Sequence, residues 1–523
     1  MRSSAGDDEM SAIGGPADAA QAWMAPRRGP AGRLAQIASR TSLAQLLALA
    51  AVLRLAVMPI ATPVHPDEVF QYLETAHRLV FGHGIVTWEW RAGMRGWLLP
   101  WLVAAPMRIG GWIAPDGDLY RVLPNLLMVA ASLTSVVVAW RLGARLSRLH
   151  AQVAGFVAAI WFEFVYFAPH VMSETVSIAL ILPAALILVE RERWTWLRLS
   201  TAAFLLANAA AIRVQHAPAI AVLALACCGR DLRRCWAPML VGGLAGLIPS
   251  ALADAAMGAT PYAWVLANVR LNIVEHRAEA YSASGPLGYA AELWPRMALW
   301  AVPLFALAAV GARRYPGLAA GALANLVFHS AITHKEYRFI LFTMVVAVIL
   351  AAIGTVDWVR AVARKDGAEA GREKLRFLLI VWIAASLSCA VGGYRTQWMK
   401  FGPEMDAFSR LRADPATCGV AVYRHDFSIT GGYAYLHRPV PILYFADEDS
   451  ARSAADLAAN VGAVNSVLTT PDHAAELPAA FRQTSCEGKG RLRVCLYRRP
   501  GGCAATSASA SFAMSTVLAR RDE

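Results

Sequence analysis

Residues 43–80 of the chain read LAQLLALAAVLRLAVMPIATPVHPDEVFQYLETAHRLV, an apolar run that ends abruptly in a polar stretch. The run around residues 41–61 is long enough to cross a bilayer, since about 20 apolar residues span the hydrocarbon core. His65 and Pro66 follow it, and then come two adjacent carboxylates, Asp67 and Glu68. The stretch therefore predicts a transmembrane helix that delivers two acids to the membrane surface.

The composition of the whole chain extends this prediction. Of its 523 residues, 57% are hydrophobic and only 16% are charged, whereas soluble domains are about 25% charged. Similar apolar runs recur, and we predict about 11 spans, near residues 41–61, 121–141, 151–168, 173–189, 198–213, 216–229, 237–256, 297–312, 317–333, 338–356 and 376–393. The chain is therefore predicted to be an all-α polytopic membrane protein, with a transmembrane domain over residues 41–393.

The basic residues set the predicted orientation. With the N-terminus inside, short Arg-rich connections such as 141–148, 191–198 and 230–234 all fall on the cytoplasmic side. This pattern accounts for the net charge of +12 without a nucleic-acid partner. It also requires residues 97–114 to form a re-entrant or juxtamembrane helix within the first outer loop, 62–120. Residues 1–40, rich in Ala, Gly, Pro and Arg, are predicted to be a disordered cytoplasmic tail.

This orientation places the unusual polar clusters on the outer face. They are HPDE (65–68), PHVMSET (169–175), RVQH (213–216), the loop 257–296 and HKEYRF (334–339). Ionisable residues at a membrane boundary are costly to place there and are functional candidates for that reason. We expect one site on the outer face, with the loop 257–296 as a lid or acceptor-binding loop.

The acids of the opening stretch have two interpretations. Pro66 suits the first turn of a helix, and Asp67 and Glu68 then stabilise its positive end, so simple capping is one interpretation. The other is that a carboxylate kept ionised there acts as a general base. Trp88 and Trp90, further along the loop, suit either anchoring at the membrane interface or stacking on a sugar.

The cluster HKEYRF (334–339) contains side chains that can carry a positive charge. His334, Lys335 and Arg338 stand at the outer end of a predicted span, where they can bind a phosphate or simply anchor the helices at the interface. Arg213, bounded by apolar sequence, needs a lipid phosphate or an acidic partner. Glu174 begins a span and suits either capping or orienting an acceptor.

The long stretch HPDEVFQYLETAHRLVFGHGIVTWEWRAGMRG, paired with the distant HKEYRF, resembles the lipid-sugar-dependent mannosyltransferases of glycosyltransferase family 22. That family extends GPI anchors and N-glycan precursors and has the GT-C fold. The resemblance implies transfer of mannose from a polyprenyl-phosphate sugar to a lipid-linked or membrane-proximal glycan. It places the catalytic acid at Asp67, with Glu68 beside it, and maps the HKE element onto His334, Lys335 and Glu336.

On this basis we assign roles to particular residues. A lipid phosphate leaves without needing a proton, so one base and a cationic clamp suffice for inverting transfer. The predicted catalytic residues are Asp67 and Glu68; the predicted phosphate ligands are His334, Lys335, Arg338 and Arg213; and the predicted acceptor or sugar ligands are His65, Gln71, Trp88, Trp90, Glu174 and Glu336. No cofactor is required, and a divalent metal on His65, Asp67 and Glu68 is a weaker alternative.

The remaining segments complete the prediction. Strand-like segments after residue 394 predict a small extracytoplasmic α/β domain over 394–500, followed by a disordered tail, 501–523. Cys486 and Cys495 are able to bridge on the oxidising side, with Cys418 as a competing partner, and the sequence leaves this pairing open; the cysteines at 227, 228, 235 and 389 are expected to be thiols. The composition favours a bacterial cytoplasmic membrane. A transporter or flippase of lipid-linked saccharides is the alternative function.

Overall fold

A computed structural model of the chain describes residues 41–281, 283–447, 449–504 and 507–521. The predicted cytoplasmic tail, 1–40, lies outside the described residues. Most of the described chain up to residue 391 is helical, and the strands lie between residues 420 and 498. The chain thus separates into a helical membrane region and a small C-terminal domain with a sheet.

The membrane region is built from apolar helices close to the predicted spans. Its principal helices are Leu43–Val57, Leu98–Ile113, Leu119–Ser132, Thr134–Ala144, Arg148–Ile160, Ser173–Val189, Trp196–Ile212, Ala217–Cys228, Ala237–Ala256, Ala301–Ala312, Pro316–Ala331, Leu341–Asp366 and Ala368–Val391. In the described part of the chain, five helical stretches are long and apolar enough to cross a membrane, and others are shorter apolar helices. The structure therefore supports a polytopic membrane protein but does not establish a count of 11 spans.

Residues 97–114, expected to be re-entrant or juxtamembrane, form the helix Leu98–Ile113 with Pro106 inside it. Gly110 of this helix packs so closely on Leu119 and Tyr120 that a Cβ there would meet backbone atoms at 2.4–2.6 Å. This contact joins the helix tightly to the first long span. The helical hairpin is broken at Arg213, because Trp196–Ile212 ends before an extended Arg213 and a 3-10 turn, Val214–His216.

One helix forms the centre of the membrane region. In the helical stretch Tyr337–Asp366, 94% of the most apolar 18-residue segment is buried inside the protein. Arg54 is fully buried in the first span, and backbone carbonyls of a neighbouring helix bind it. Its guanidinium donates to the carbonyls of Ala158 and Ala159, each at 3.2 Å. These carbonyls end the helix Arg148–Ile160, where a cation complements the helix dipole.

The basic connections meet one another at one end of the bundle. Arg145 pairs with Glu190 and Glu192, and Arg314 binds Asp357 at 2.8 Å. The helix Ser173–Val189 leads from this end to the HPDE and HKEYRF motifs, and its 17 residues span about 26 Å. The two predicted motifs therefore lie at the end of the bundle opposite the basic connections.

The C-terminal domain (residues 402–521) contains the helix Gly402–Ala413 and a five-stranded sheet. The strands are β1 Val420–Tyr423, β2 Ile442–Phe445, β3 Ser466–Thr469, β4 Arg482–Glu487 and β5 Val494–Arg498, in the order β2-β1-β3-β5-β4. β1 pairs in parallel with β2 and β3, and β5 pairs antiparallel with β3 and β4. The predicted α/β domain is present; its polar edge strand β4 carried no apolar signal in the sequence.

The last segment corrects one prediction. Residues 507–521, predicted as part of a disordered tail, form the helices Ser507–Ala510 and Met514–Arg521. Tertiary contacts order them: Cys503 is disulfide-bonded to Cys418, Tyr444 N donates to Phe512 O at 2.8 Å, and Met514 is buried in the domain core. The domain therefore extends well past residue 500.

The cysteines follow the prediction in part. Cys486 and Cys495, whose pairing the sequence left open, face each other on β4 and β5 and form a disulfide, while Cys418 pairs with Cys503 instead of competing for either. Cys228 and Cys235, expected to be thiols, also form a disulfide, because a short turn returns the chain to the same place. Cys227 and Cys389 are free and buried.

Candidate active site

The helix that carries the HPDE acids begins as the sequence indicates. Pro66 and Asp67 lie in its first turn, and the chain continues as a π-helix, Glu68–Leu73, and an α-helix, Glu74–Phe81. We call this element helix 68–81. π-helical turns are uncommon and are frequent at functional sites. Asp67 is thus held at the positive end of a helix.

Asp67 meets the second motif directly. Its Oδ2 accepts a hydrogen bond from Arg338 Nη2 at 2.8 Å, and Arg95 Nη2 lies 3.9 Å from the same oxygen. The backbone N–H of Asp67 donates to His65 Nδ1 at 3.1 Å. The two motifs, 271 residues apart in sequence, therefore form one site.

Arg338 is the centre of this site. Besides Asp67, its guanidinium contacts Glu336 Oε2 at 2.5 Å and Glu174 Oε1 at 3.3 Å. Arg213 Nη1 lies 3.1 Å from the same Glu174 oxygen. We call these residues, with His65, His334, Arg95 and Glu89, the charged cluster.

Aromatic and hydroxyl groups hold the two deeper arginines. The guanidinium carbons of Arg213 and Arg338 lie 5.0 and 5.2 Å from the centre of the Phe339 ring, a distance that suits cation–π attraction. Ser173 accepts a hydrogen bond from Arg213 at 3.2 Å and donates to Glu174 at 3.1 Å. Glu174 is completely buried, so it stabilises these cations as their shared counterion.

The two histidines frame Glu336. His334 Nε2 lies 2.9 Å from Glu336 Oε1, and His65 Nε2 lies 3.1 Å from Glu336 Oε2. His65 thus contacts the Asp67 amide through Nδ1 and the Glu336 carboxylate through Nε2. The HKE element and the HPDE element thus share this carboxylate.

The electrostatics keep the acids ionised. Burial opposes ionisation of Asp67, but the charges of Arg338, His65 and Arg95 outweigh burial and hold its pKa well below the usual range. Burial likewise opposes ionisation of Glu336, and Arg338 and the two histidines again lower its pKa well below normal. Asp67 is therefore a carboxylate at any physiological pH.

Several predicted residues lie elsewhere. The Glu68 carboxylate accepts from the amides of Val64 and Val171, at 3.1 and 3.0 Å, and contacts His170 Nδ1 at 3.1 Å. Lys335 donates to the carbonyls of Ser330 and Ile332, which belong to the end of the helix Pro316–Ala331. The Glu68 carboxylate is thus bound by groups outside the charged cluster, and these contacts of Lys335 are with backbone carbonyls.

Three predicted sugar ligands, Gln71, Trp90 and Trp88, make contacts with residues of the outer loops. Gln71 is buried and donates to Thr87 at 3.3 Å. Trp90 packs on Trp97, with ring centres 4.5 Å apart. Trp88 is partly exposed and donates to Tyr281 at 2.8 Å, which ties the long loop 257–296 to the first outer loop. Trp88 thus occupies a part-exposed position beside that loop.

The sequence analysis missed two members of the cluster. Arg95 contacts Asp67 and also Glu89, at 3.6 Å, and Glu89 begins the short helix Trp88–Arg91. They belong to an irregular segment whose three tryptophans gave the stronger signal. Their charge in an otherwise aromatic stretch was the available clue.

A divalent metal was the weaker alternative for this site. In the described part of the chain, no group of three or more His, Cys, Asp or Glu side chains is arranged to hold a metal ion. His65 and Asp67 are neighbours, but Glu68 is bound by backbone amides. Cations surround Asp67 instead.

Comparisons with known proteins bear on this site. The model of the Alg9-like mannosyltransferase family matches residues 44–433. GPI mannosyltransferase 3 of Yarrowia lipolytica is 27% identical over 396 residues, which cover 73% of this chain and 73% of that protein. GPI alpha-1,2-mannosyltransferase 3 of Danio rerio is 51% identical over 57 residues, 11% of each chain.

Among solved structures, ArnT from Cupriavidus metallidurans bound to undecaprenyl phosphate is similar, with a TM-score of 0.57. The match is 11% identical and covers 89% of this chain and 99% of that chain. At this identity the likeness concerns the fold alone. It shows the GT-C architecture that the two motifs implied.

Proposed function

The chain belongs to the Alg9-like mannosyltransferase family, and from this premise we propose that it transfers mannose from a polyprenyl-phosphate donor to a hydroxyl of a lipid-linked or membrane-proximal glycan. Its family and relatives make it a membrane mannosyltransferase. The transporter or flippase alternative is therefore set aside. The donor, the acceptor and the mechanism are the content of the proposal.

One observation carries the proposal: the contact of 2.8 Å between Asp67 and Arg338. It joins an ionised carboxylate, suited to accept a proton, to a guanidinium, suited to bind a phosphate. A sugar phosphate placed between them would have its leaving group on the arginine and its reacting carbon near the acid. This arrangement fits transfer from a glycosyl phosphate.

The donor phosphate would be bound by Arg338, Arg213 and His334. Arg338 and Arg213 now share Glu174 as counterion, so an incoming phosphate would exchange with carboxylates for the same N–H groups. A lipid phosphate would bring its negative charge to two guanidinium groups that are already positioned to bind an anion. ArnT, whose solved structure holds undecaprenyl phosphate, supports this class of donor.

In the proposed reaction, the acceptor hydroxyl oxygen attacks the anomeric carbon of mannose from the side opposite the phosphate. The bond from that carbon to the phosphate oxygen breaks, and the bonding electrons leave with the phosphate. The hydroxyl proton passes to Asp67. Because the attack is direct, the anomeric configuration inverts, and no second carboxylic acid is needed to protonate the leaving group.

The low pKa of Asp67 fits this scheme in one respect and constrains it in another. The acid is ionised before reaction, but a carboxylate so strongly stabilised by Arg338 is a weak base. If Arg338 moves towards the phosphate when the donor binds, Asp67 loses its main positive neighbour and becomes more basic. Donor binding would then prepare the base for the acceptor.

The acceptor is proposed to enter beside Trp88 and the loop 257–296, the exposed side of the site. Relatives named GPI mannosyltransferase 3 favour a glycolipid acceptor. We also propose that the site faces away from the cytoplasm, since it lies opposite the basic connections. The expectation of a bacterial membrane finds no support in the relatives, which come from eukaryotes.

The test is mannosyl transfer by membranes containing the chain, with polyprenyl-phosphate mannose as donor and a glycolipid as acceptor. Asp67→Asn keeps the shape of the side chain and removes the base. We expect its kcat to fall about 10²- to 10⁴-fold, the usual contribution of a positioned base. Binding of the polyprenyl phosphate alone, measured separately, should persist.

Asp116→Asn is the matched control, because it neutralises an exposed acid of the same outer loop that is not a member of the charged cluster. It should transfer mannose at a rate per folded molecule close to that of the wild type. Wild-type activity in Asp67→Asn would remove the base assignment. Absence of transfer from any polyprenyl-phosphate sugar by the wild type would remove the proposed donor.

A further inference from the structure

Glu74, on the same helix as Asp67, is bound by three backbone amides. Its Oε1 accepts from Ile85 N at 2.7 Å and from Tyr433 N at 3.1 Å, and its Oε2 accepts from Ala434 N at 2.7 Å. The side chain is completely buried. Glu74 lies within the long stretch that carries the family resemblance, but the sequence analysis gave it no role and the proposed chemistry does not use it.

Two of the three amides come from the C-terminal domain. Tyr433 and Ala434 belong to its short helix Gly432–Leu436, which lies on helix 68–81. Gly432 approaches Glu74 so closely that an added Cβ would lie 2.7 Å from its Oε2, and the backbone of Gly432 has a φ of +53°. Only glycine suits this position, so the contact depends on the backbone of the domain.

Neighbouring contacts make this junction a built interface. Tyr120 Oη donates to Ala434 O at 2.8 Å, and the Tyr120 ring stacks on His437 with centres 4.0 Å apart. His77, one turn after Glu74, places its Nε2 2.9 Å from His437 Nδ1. The domain therefore holds the middle of helix 68–81 by hydrogen bonds and ring contacts together.

The other end of the same helix is fixed to the membrane region. Glu68 binds the amides of Val64 and Val171, as described above. Asp67 precedes this anchor directly, and Glu74 lies about 10 Å further along the helix axis. Two buried carboxylates thus fix the helix that follows Asp67: Glu68 binds it to the membrane region and Glu74 binds it to the C-terminal domain.

We propose that Glu74 is a positioning residue for mannosyl transfer: through the amides of Tyr433 and Ala434, the C-terminal domain sets the placement of Asp67 against Arg338. The inference rests on the proposed role of Asp67. It assigns the C-terminal domain a part in catalysis, although the family model ends at residue 433 and most of the domain lies beyond it. A shift of about 1 Å in a reacting group costs up to about 100-fold in rate.

Two variants of the full-length chain in membranes test the proposal from opposite sides. Glu74→Gln replaces one acceptor oxygen by an NH₂ group, which must face one of the amides. Gly432→Ala leaves Glu74 unchanged and pushes on it from the C-terminal domain. For both we expect kcat to fall between about 10- and 100-fold, with the KM for the donor little changed.

Asp118→Asn is the matched control. Asp118 pairs with Arg412 of the same domain at 2.9 Å, but it lies outside helix 68–81. It should keep the kcat of the wild type. Wild-type kcat in folded Glu74→Gln and Gly432→Ala would overturn the proposal, and so would an equal loss in Asp118→Asn, since any loosening of the domain would then suffice.

Amide hydrogen exchange covers variants that do not fold and separates the two proposals. In the wild type, increasing amounts of urea should open residues 68–81 and 432–436 together, because Glu74 joins them. Independent opening would overturn the positioning role. If the wild type does not transfer mannose, the proposed function fails, while the exchange result still decides whether the domain holds the helix.

Discussion

Helix 68–81 connects two different environments, and each contains a carboxylate shielded from solvent: Asp67 just before the helix and Glu74 within it. At its start, Asp67 lies among Arg338, Arg95 and His65, and its pKa is held well below normal. Seven residues later, Glu74 is surrounded by backbone amides of the C-terminal domain, and burial raises its pKa to about 7 even though those amides lower it. The helix thus carries one permanently charged acid and one that titrates near neutrality.

The difference shows what stabilises a buried carboxylate. Loss of solvent disfavours the charged form at both positions, and full positive charges reverse this effect whereas amide dipoles do so only in part. The charged cluster is therefore suited to exchange one anion for another. The Glu74 interface is suited to hold two parts of the molecule together, and the pH sets how firmly it does so.

The largest expected effect comes from removing the central cation. Arg338→Met leaves Asp67, Glu174 and Glu336 without their shared partner, so we expect a loss of about 3–5 kcal/mol in the free energy of unfolding. The measurement is the unfolding midpoint of the purified protein in detergent. Glu336 would then resemble Glu74, an acid shielded from solvent that has lost its contact with an arginine.

A second change and a control sharpen this result. Adding Glu336→Gln to Arg338→Met should recover part of the stability, because Arg338 is the arginine in contact with Glu336, whereas Glu174 keeps Arg213 and Asp67 keeps Arg95. Arg270→Met removes an exposed arginine that pairs with Glu275, and it should cost about 0–1 kcal/mol. Equal losses in Arg338→Met and Arg270→Met would contradict the special position of Arg338.

The next effect is a pH dependence from Glu74. Its folded-state pKa is raised from 4.5 to about 7, so its contribution to stability is fully present below pH 4.5 and is lost as the pH rises through about 7. The size is on the order of 3 kcal/mol. Unfolding midpoints of the wild type should fall over this range, whereas those of Glu74→Gln should lack this component.

Other ionisable groups face Glu74 and must be separated from it: Arg78, His77, His83, Tyr433 and His437. Burial lowers the pKa of His77 to about 3 and that of His437 to about 4, so both are largely neutral in the relevant range. His83→Gln is the remaining control. A slope that disappears in His83→Gln and persists in Glu74→Gln would assign the effect to His83.

The smallest effect concerns the other anchor. Glu68→Gln weakens the hydrogen bonds to Val64 and Val171, and we expect a loss of about 1–3 kcal/mol in the free energy of unfolding. Thermal unfolding of the variant measures this loss, and transfer per folded molecule should fall no further than in Glu74→Gln, since both carboxylates anchor the same helix. Loss of transfer as large as in Asp67→Asn would mean that Glu68 takes part in the chemistry.

Much of the site could be predicted from sequence. Asp67, Arg338, His334 and Glu336 belong to two local motifs, and Arg213 is a single charge in an apolar segment that required a partner. The residues whose surroundings the sequence did not reveal depend on distant contacts. Glu68 and Lys335 are bound by backbone groups, and Arg95 and Glu89 reach the cluster from an irregular segment.

The sequence by itself determined the membrane class, the order of the apolar helices, the family and the two motifs of the site. These features depend on local composition and on the cost of placing charge near lipid. Tertiary structure alone decided that Asp67 and not Glu68 meets Arg338, that residues 507–521 belong to the C-terminal domain, and that this domain binds Glu74. Neighbouring acids look alike in a sequence, and only the groups packed around each one set its charge and its role.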